Sequence, residues 1–151
     1  MRAPSVEART EWPARAPRAG SLPDDGGMSE TTPLKGSCHC GATTFEVTSP
    51  PKEVTRCNCT FCTKRGPLWA YYDPEQVKFT RREQVGTYDR NAPVAHHHCQ
   101  TCGCGTWTDT PVWENNAPVP GKFKVGINSR LFDDFNLDAV RVVFLDGRNL
   151  W

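Results

Sequence analysis

The sequence offers no long apolar run, no surplus of one charge, no helical stripe and no internal repeat, and each absence excludes something. Within 151 residues of 37% hydrophobic content, no stretch approaches the roughly 20 consecutive apolar residues of a membrane helix, so a soluble chain without membrane contact is expected. The 18 basic and 17 acidic side chains leave a formal net charge of +1. That balance lacks the basic footprint of a nucleic-acid binder. No window of about a dozen residues keeps apolar side chains at i, i+3, i+4 and i+7, which argues against a helical bundle. Repeats spaced at about 20 to 50 residues, the mark of solenoids and propellers, are missing as well. The length predicts one domain.

Residues 1–33 are poor in the large side chains a core requires. Val6, Trp12, Leu22 and the two methionines stand among five prolines, and such a composition cannot offset the entropy of ordering the chain. The segment is expected to be a disordered extension. Its arginines suggest a transit peptide, but Glu7, Glu11, Asp24 and Asp25 argue against one, and the apolar core of a secretory signal is lacking. With no export signal, reduced cysteines and a cytoplasmic location are expected. Met28, directly before SETTPLKGSCHC, makes a natural start, with 1–27 then an upstream extension of the reading frame.

From residue 34 to 151 the apolar pattern has period two. ATTFEVT (42–48), LWAYY (68–72), VKFT (77–80), VGTYD (85–89), VAHHH (94–98), GTWTDT (105–110), GKFKVGIN (121–128) and AVRVVFL (139–145) read as half-buried strands. SPPKE, DPEQ, RNAP, NNAPVPG and DG separate them as turns. The expected fold is all-β, with roughly eight short strands in two packed or curled sheets.

What the chain has in quantity is cysteine. All eight lie between Cys38 and Cys104, clustered as CHC (38–40), CNCTFC (57–62) and CQTCGC (99–104). Close spacings of this kind put thiolates on tight turns whose amides also point at sulfur, which suits tetrahedral zinc at about 2.3 Å. CxC is a poor disulfide geometry, and dense disulfide scaffolds belong to secreted domains. A redox-active CxxC would want a βαβ setting that this strand pattern does not supply. Zinc is therefore the expected cofactor, and a purely structural clip stays open beside a working centre.

The order of elements suggests how the thiols divide. Cys38 and Cys40 enter the first strand while Cys99 and Cys102 follow VAHHH, so the two knuckles can close one four-cysteine site by pinning those strands together. Cys57, Cys59 and Cys62 remain as three ligands from one loop. The expectation is one fully enclosed nest for architecture and one with a gap facing solvent. A dication held by three thiolates keeps an open position, can accept a small thiol and lowers its pKa, which prepares a nucleophile for an aldehyde carbon.

GSCHCGATTFEV, CNCTFCTKRG, HCQTCGCGTW, GINSR and FLDGRNLW, in that order, resemble the glutathione-dependent formaldehyde-activating enzyme (GFA) family over about residues 34–151. The resemblance implies a zinc-binding β-tent of short antiparallel strands. It implies a structural zinc on Cys38, Cys40, Cys99 and Cys102 and a second, catalytic zinc on Cys57, Cys59 and Cys62. The implied reaction joins a glutathione-like thiol to a small aldehyde, giving S-(hydroxymethyl)glutathione from formaldehyde, and is classed as carbon-sulfur lyase chemistry in the reverse sense. Asn58 stands where many relatives have histidine, and Cys104 would give the second centre a fourth ligand if it reached it. A non-catalytic zinc-stabilised scaffold and a thiol-redox or zinc-buffering protein are the other two readings.

His96, His97 and His98 are expected to be hydrogen-bonding neighbours of the knuckle instead of ligands, because cysteines already fill the coordination sites, and His39 is expected to be a turn residue. Trp69, Tyr71 and Tyr72 fit either a cleft wall or core packing. Lys64 and Arg65 fit either a counter-charge to the thiolate centre or a solvated surface. Asn128 and Arg130 stand out through the family resemblance alone.

Overall fold

The computed structural model describes residues 32–89 and 93–150. The extension expected over 1–33 therefore lies outside the described residues except for its last two, and so does the Met28 start. Among the described residues ten strands appear in chain order. They are β1 (Leu34–Ser37), β2 (Thr43–Val47), β3 (Glu53–Cys57), β4 (Trp69–Tyr72), β5 (Val77–Arg82), β6 (Val85–Tyr88), β7 (Ala95–Cys99), β8 (Gly105–Glu114), β9 (Ala117–Asn128) and β10 (Arg141–Leu145). Two short helices, α1 (Thr60–Arg65) and α2 (Gly147–Leu150), complete the set with two 3-10 turns. The strands form a small sheet, β1-β2-β5, and a large one, β10-β3-β4-β9-β8-β7-β6. The all-β expectation agrees with this architecture.

Alternation along the strands decides what faces inward. In β2, Thr43, Phe45 and Val47 are buried while Thr44 and Glu46 are half-buried, the period-two pattern of a strand with one face on the core. Phe45 and Val47 of the small sheet meet Ala70, Tyr72, Trp107, Val125 and Ile127 of the large one, with Leu34, Val54 and Phe132 closing the same core. Full burial of side chains such as Phe45 and Ile127 contributes about 1.5–3 kcal/mol each. The opposite face of β4 turns Trp69 toward Cys57 and Cys62 in a second buried cluster. One strand thus serves the core with Ala70 and Tyr72 and the cysteine loop with Trp69.

Five features depart from the sequence pattern. LKGS forms β1, a strand of four residues, too short to register as alternation. EVTRC forms β3 even though SPPKE reads as a turn, because its two buried residues, Val54 and Cys57, are too few to show as alternation. The turn within NNAPVPG is confined to Asn115 and Asn116, at φ 50° and 60°. Asparagine tolerates that left-handed pair in a two-residue hairpin, so β9 resumes at once and pairs Ala117 with Glu114. α1 has six residues, too short to show a stripe, and ends on Gly66 in the left-handed region. β10 pairs with β3 in parallel, Leu145 opposite Cys57, although the other strand pairs are antiparallel. That pairing brings the end of the described chain to the central cysteine loop. No helix among the described residues is long and apolar enough to cross a membrane.

Candidate functional site

Seven of the eight cysteines gather in two groups. The sulfurs of Cys38, Cys40, Cys99 and Cys102 lie within 4.8 Å of one another, and so do those of Cys57, Cys59 and Cys62. Either group could hold a metal ion. In the four-sulfur group Cys38 Sγ is 3.7 Å from Cys40 Sγ, and Cys40 Sγ is 3.6 Å from Cys99 Sγ. A tetrahedron with ligands at about 2.3 Å has edges of about 3.8 Å, while a disulfide would need about 2.05 Å. The spacing is that of ligands around one ion, and all eight cysteines are free thiols.

The first group joins the two ends of the cysteine region. Cys38 follows β1 and accepts the Thr43 amide at 3.3 Å, while Cys99 closes β7 and receives its partner Cys102 through the tight turn in which Gly103 N donates to Cys99 O at 2.8 Å. Cys38 and Cys99 are buried, Cys102 is half-buried and Cys40 is exposed. The expected full enclosure is therefore incomplete: four ligands would close the coordination shell, but the CHC turn leaves one sulfur at the surface. Cys104 belongs on this side. The Cys99 amide donates to Cys104 O at 2.9 Å, and although the His39 amide lowers the Cys104 thiol, burial and then the neighbouring Cys102 and Cys38 push it up.

The second group is built on a single turn. Cys57 ends β3, Cys59 caps α1, and Cys62 sits inside that helix. Each sulfur accepts an N–H: Cys57 from the Cys59 amide at 3.4 Å, Cys59 from the Cys62 amide at 3.5 Å, and Cys62 from the Trp69 indole at 3.4 Å. Such bonds favour the thiolate. Cys57 is held down to about 6, chiefly by the Cys62 thiol bonded to it and, against the cost of burial, by the Cys59 and Gly147 amides. Cys62 is pushed up, because it gives that bond and because it is buried.

Aromatic rings flank the same loop. Phe61 of α1 stacks on His96 at 3.8 Å between centroids and on Tyr88 at 5.7 Å, and Trp69 lies 6.0 Å from His96. His96 thus turns to the central loop. Burial holds it down to about 4, keeping it neutral, with its Nδ1 buried and unpartnered. His97 bonds Thr87 and Asp109, at 2.9 and 2.8 Å, and stacks on Trp107, while the ring of His98 lies over Gly86. None of the three is among the clustered thiol ligands, and alternation along β7 puts His96 and His98, opposite Tyr88 and Gly86, on one face and His97, opposite Thr87, on the other. Tyr71 is 39% exposed, and its hydroxyl is raised by lost hydration and by Cys62, Cys57 and Cys59. Its ring passes over Gly126, where a Cβ would meet Tyr71 Cε1 at 2.9 Å and Thr108 Cγ2 at 2.7 Å. Tyr72 points the other way, into the core.

Asn128 has a clear role. Buried at the end of β9, it accepts the Leu68 and Arg130 amides, each at 3.4 Å, and donates to Gly105 O at 2.9 Å. Those bonds tie β4, β8 and β9 together behind the cysteine loop. Arg130 Nε donates to Gly66 O at 2.9 Å, holding the end of α1. Lys64 and Arg65 are exposed in its last turn.

Residues 33–135 match the family model described as glutathione-dependent formaldehyde-activating enzyme. The chain belongs to this family. Among its relatives is a Halomonas elongata protein bearing the provisional name of glutathione-dependent formaldehyde-activating enzyme, 32% identical over 91 residues. The match covers 53% of this chain and 58% of that relative. The fold is similar to the crystal structure of a Rhodobacter sphaeroides protein, at a TM-score of 0.57 and 26% identity, covering 73% of this chain and 100% of that one. Both cysteine groups of this GFA domain lie within the matched span.

The site residues that spacing could not supply are Asn58, Phe61, Tyr88, Trp69 as a sulfur donor, and the Asp146–Arg148 segment. Phe61 is inside CNCTFC, and Asn58 stood out there through the family resemblance alone. Asp146 is 88 residues away from the side chain it contacts, and no local pattern announces it.

Proposed function

We propose that the domain is a zinc enzyme joining a glutathione-like thiol to a small aldehyde such as formaldehyde. Cys57, Cys59 and Cys62 hold the working ion, and Cys38, Cys40, Cys99 and Cys102 hold a structural one. The single observation that carries this reading is the unequal division of the thiols: Cys104 lies beside His39, Cys102 and Cys38, leaving the central loop with three. Both donor sets suit zinc, which prefers sulfur and tetrahedral spacing. A zinc ion on the central loop would supply Lewis-acid chemistry that favours the deprotonated form of an added thiol.

The chain's own groups do the rest. Amides and the Trp69 indole stabilise charge on the three sulfurs, so the loop can hold a cation without a further protein charge. Phe61, His96 and Trp69 form a wall that limits water around them. Tyr71 keeps its proton and stands near the sulfurs, where it can donate a hydrogen bond to a carbonyl oxygen. Addition is balanced without an oxidant: a C–S bond forms, the C=O π bond breaks, and the thiol proton ends on the new hydroxyl. Holding both partners together makes the step effectively unimolecular. The product is S-(hydroxymethyl)glutathione, and the reverse direction is carbon-sulfur lyase chemistry. The place of action is the cytoplasm.

The test is cobalt substitution followed by thiol titration. Two cobalt ions should bind, and glutathione should intensify the sulfur-to-cobalt absorption of one of them; product should then form faster than in buffer. Two ions indifferent to added thiol, with no acceleration, would sink the enzyme reading in favour of a scaffold, and oxidant-driven release of one ion would favour zinc buffering.

A further inference from the structure

The three-cysteine loop is gripped from the far end of the chain, by a segment beyond the matched residues 33–135. Parallel pairing of β10 with β3 sets Leu145 beside Cys57, and the chain then turns through Asp146 into α2. Asn58, between the first two cysteines of the loop, bonds this turn at three points. Its Nδ2 donates to Asp146 Oδ1 at 2.7 Å, its Oδ1 accepts the Arg148 amide at 2.9 Å, and its own amide donates to Leu145 O at 3.1 Å. Asp146 is in turn held by Asn149, whose Nδ2 donates to Oδ2 at 2.6 Å. Between Asp146 and Arg148 lies Gly147, which is buried and whose amide is among the groups that lower the Cys57 thiol.

Each bond is modest on its own and stronger where a carboxylate accepts. Together they fix both sides of Gly147, at Asp146 and at Arg148. Asn58 satisfies its donor and its acceptor at once, and it does so toward residues 88 and 90 positions away. A side chain serving only the local turn would not need either contact, because Thr63 Oγ1 already donates to Asn58 O at 3.0 Å.

We propose that Asn58 and Asp146 form a clamp that holds the 145–149 turn against the three-cysteine loop, keeping the loop in the shape in which its sulfurs meet and so tightening metal binding there. Asn58 is a positioning residue, and the Asp146–Asn149 turn is a structural part of the working centre. The inference rests on the reading of Cys57, Cys59 and Cys62 as metal ligands. Loss of such outer contacts typically weakens metal affinity about 10–100-fold.

The experiment compares the full zinc-loaded chain with Asn58→Leu, Asp146→Ala and Asp146→Asn. Zinc release to a metallochromic chelator and melting temperature are followed together. In the wild type two zinc ions are expected, one more labile. Asn58→Leu and Asp146→Ala should loosen the labile ion about 10–100-fold, leave the other ion in place and lower the melting temperature by no more than a few degrees. Asp146→Asn, which keeps an acceptor for Asn58, should stay close to wild type. Unchanged release in Asn58→Leu overturns the proposal, as does equal weakening of both ions with a lowered melting temperature, the signature of a merely structural tie. Amide exchange at Gly147 and Arg148 separates the two readings. Faster exchange in Asn58→Leu on a chain that binds only one zinc keeps the clamp and refutes the metal centre, and unchanged exchange refutes the clamp itself.

Discussion

The two cysteine groups differ in where their members come from, and that difference predicts how each fails. Cys38 and Cys40 are about 60 residues from Cys99 and Cys102, with Cys40 and Cys99 in direct sulfur contact across a separation of 59. An ion there closes a long loop and ties the small sheet to β7, and loop closure of that length is unfavourable without a cross-link. Cys57, Cys59 and Cys62 sit within one turn, already ordered by α1, β3 and the Trp69 indole. An ion there orders little that is not ordered already. The exposure runs opposite to a simple picture of buried structural and open working sites, because the long-range group includes the exposed Cys40 while Cys57 and Cys62 are buried. What separates the groups is topology, more than solvent access.

The largest effect should come from the long-range group. Cys38→Ser or Cys99→Ser is expected to unfold the domain or make it insoluble, since a structural zinc contributes on the order of 10 kcal/mol in small modules; circular dichroism and a thermal melt would show it. Cys59→Ser is expected to lower zinc content from two ions to one and abolish adduct formation, while stability changes by no more than about 1–2 kcal/mol in urea unfolding. If both substitutions destabilise equally, the distinction drawn between the groups is wrong.

Cys104→Ser should have a smaller effect, confined to the long-range group. Chelator competition on the central-loop ion is expected to give unchanged affinity, and a weakened central ion would mean that Cys104 reaches it. The smallest effect concerns His96. Its folded-state pKa of about 4 lies below the ordinary 6.5, so the unfolded chain binds the extra proton between those values. Stability should therefore rise with pH from about 4 to about 6.5 and be flat in this contribution above it. Imidazole nitrogen chemical shifts of His96 that remain those of a neutral ring down to about pH 4 would support this, and titration near 6.5 would contradict it.

How much could be read in advance depended on range. The strands β2, β4 to β9 and β10 were legible because alternation such as Thr43, Phe45 and Val47 is a local signal of one-sided burial. β1 and β3 were hidden: β1 has only four residues, and β3 shows only two buried ones while its neighbours, β4 and β10, lie elsewhere in the chain. The cysteine grouping was legible from CxC and CxxC spacing and strand order. The partners of the histidines were not, because Phe61, Thr87, Trp107 and Asp109 come from other elements.

Residue type and spacing by themselves determined that the domain is all-β, that its thiols come as two separable groups, and that sulfur is poised for metal, since each of these follows from short-range geometry. Only the tertiary structure decided that Cys104 stands with the long-range group, that His96 and Phe61 wall the central loop, and that Asn58 grips Asp146 and Arg148. Those contacts join residues whose separation in the chain carries no periodicity, and a hydrogen bond across 88 residues exists only once β10 has paired with β3.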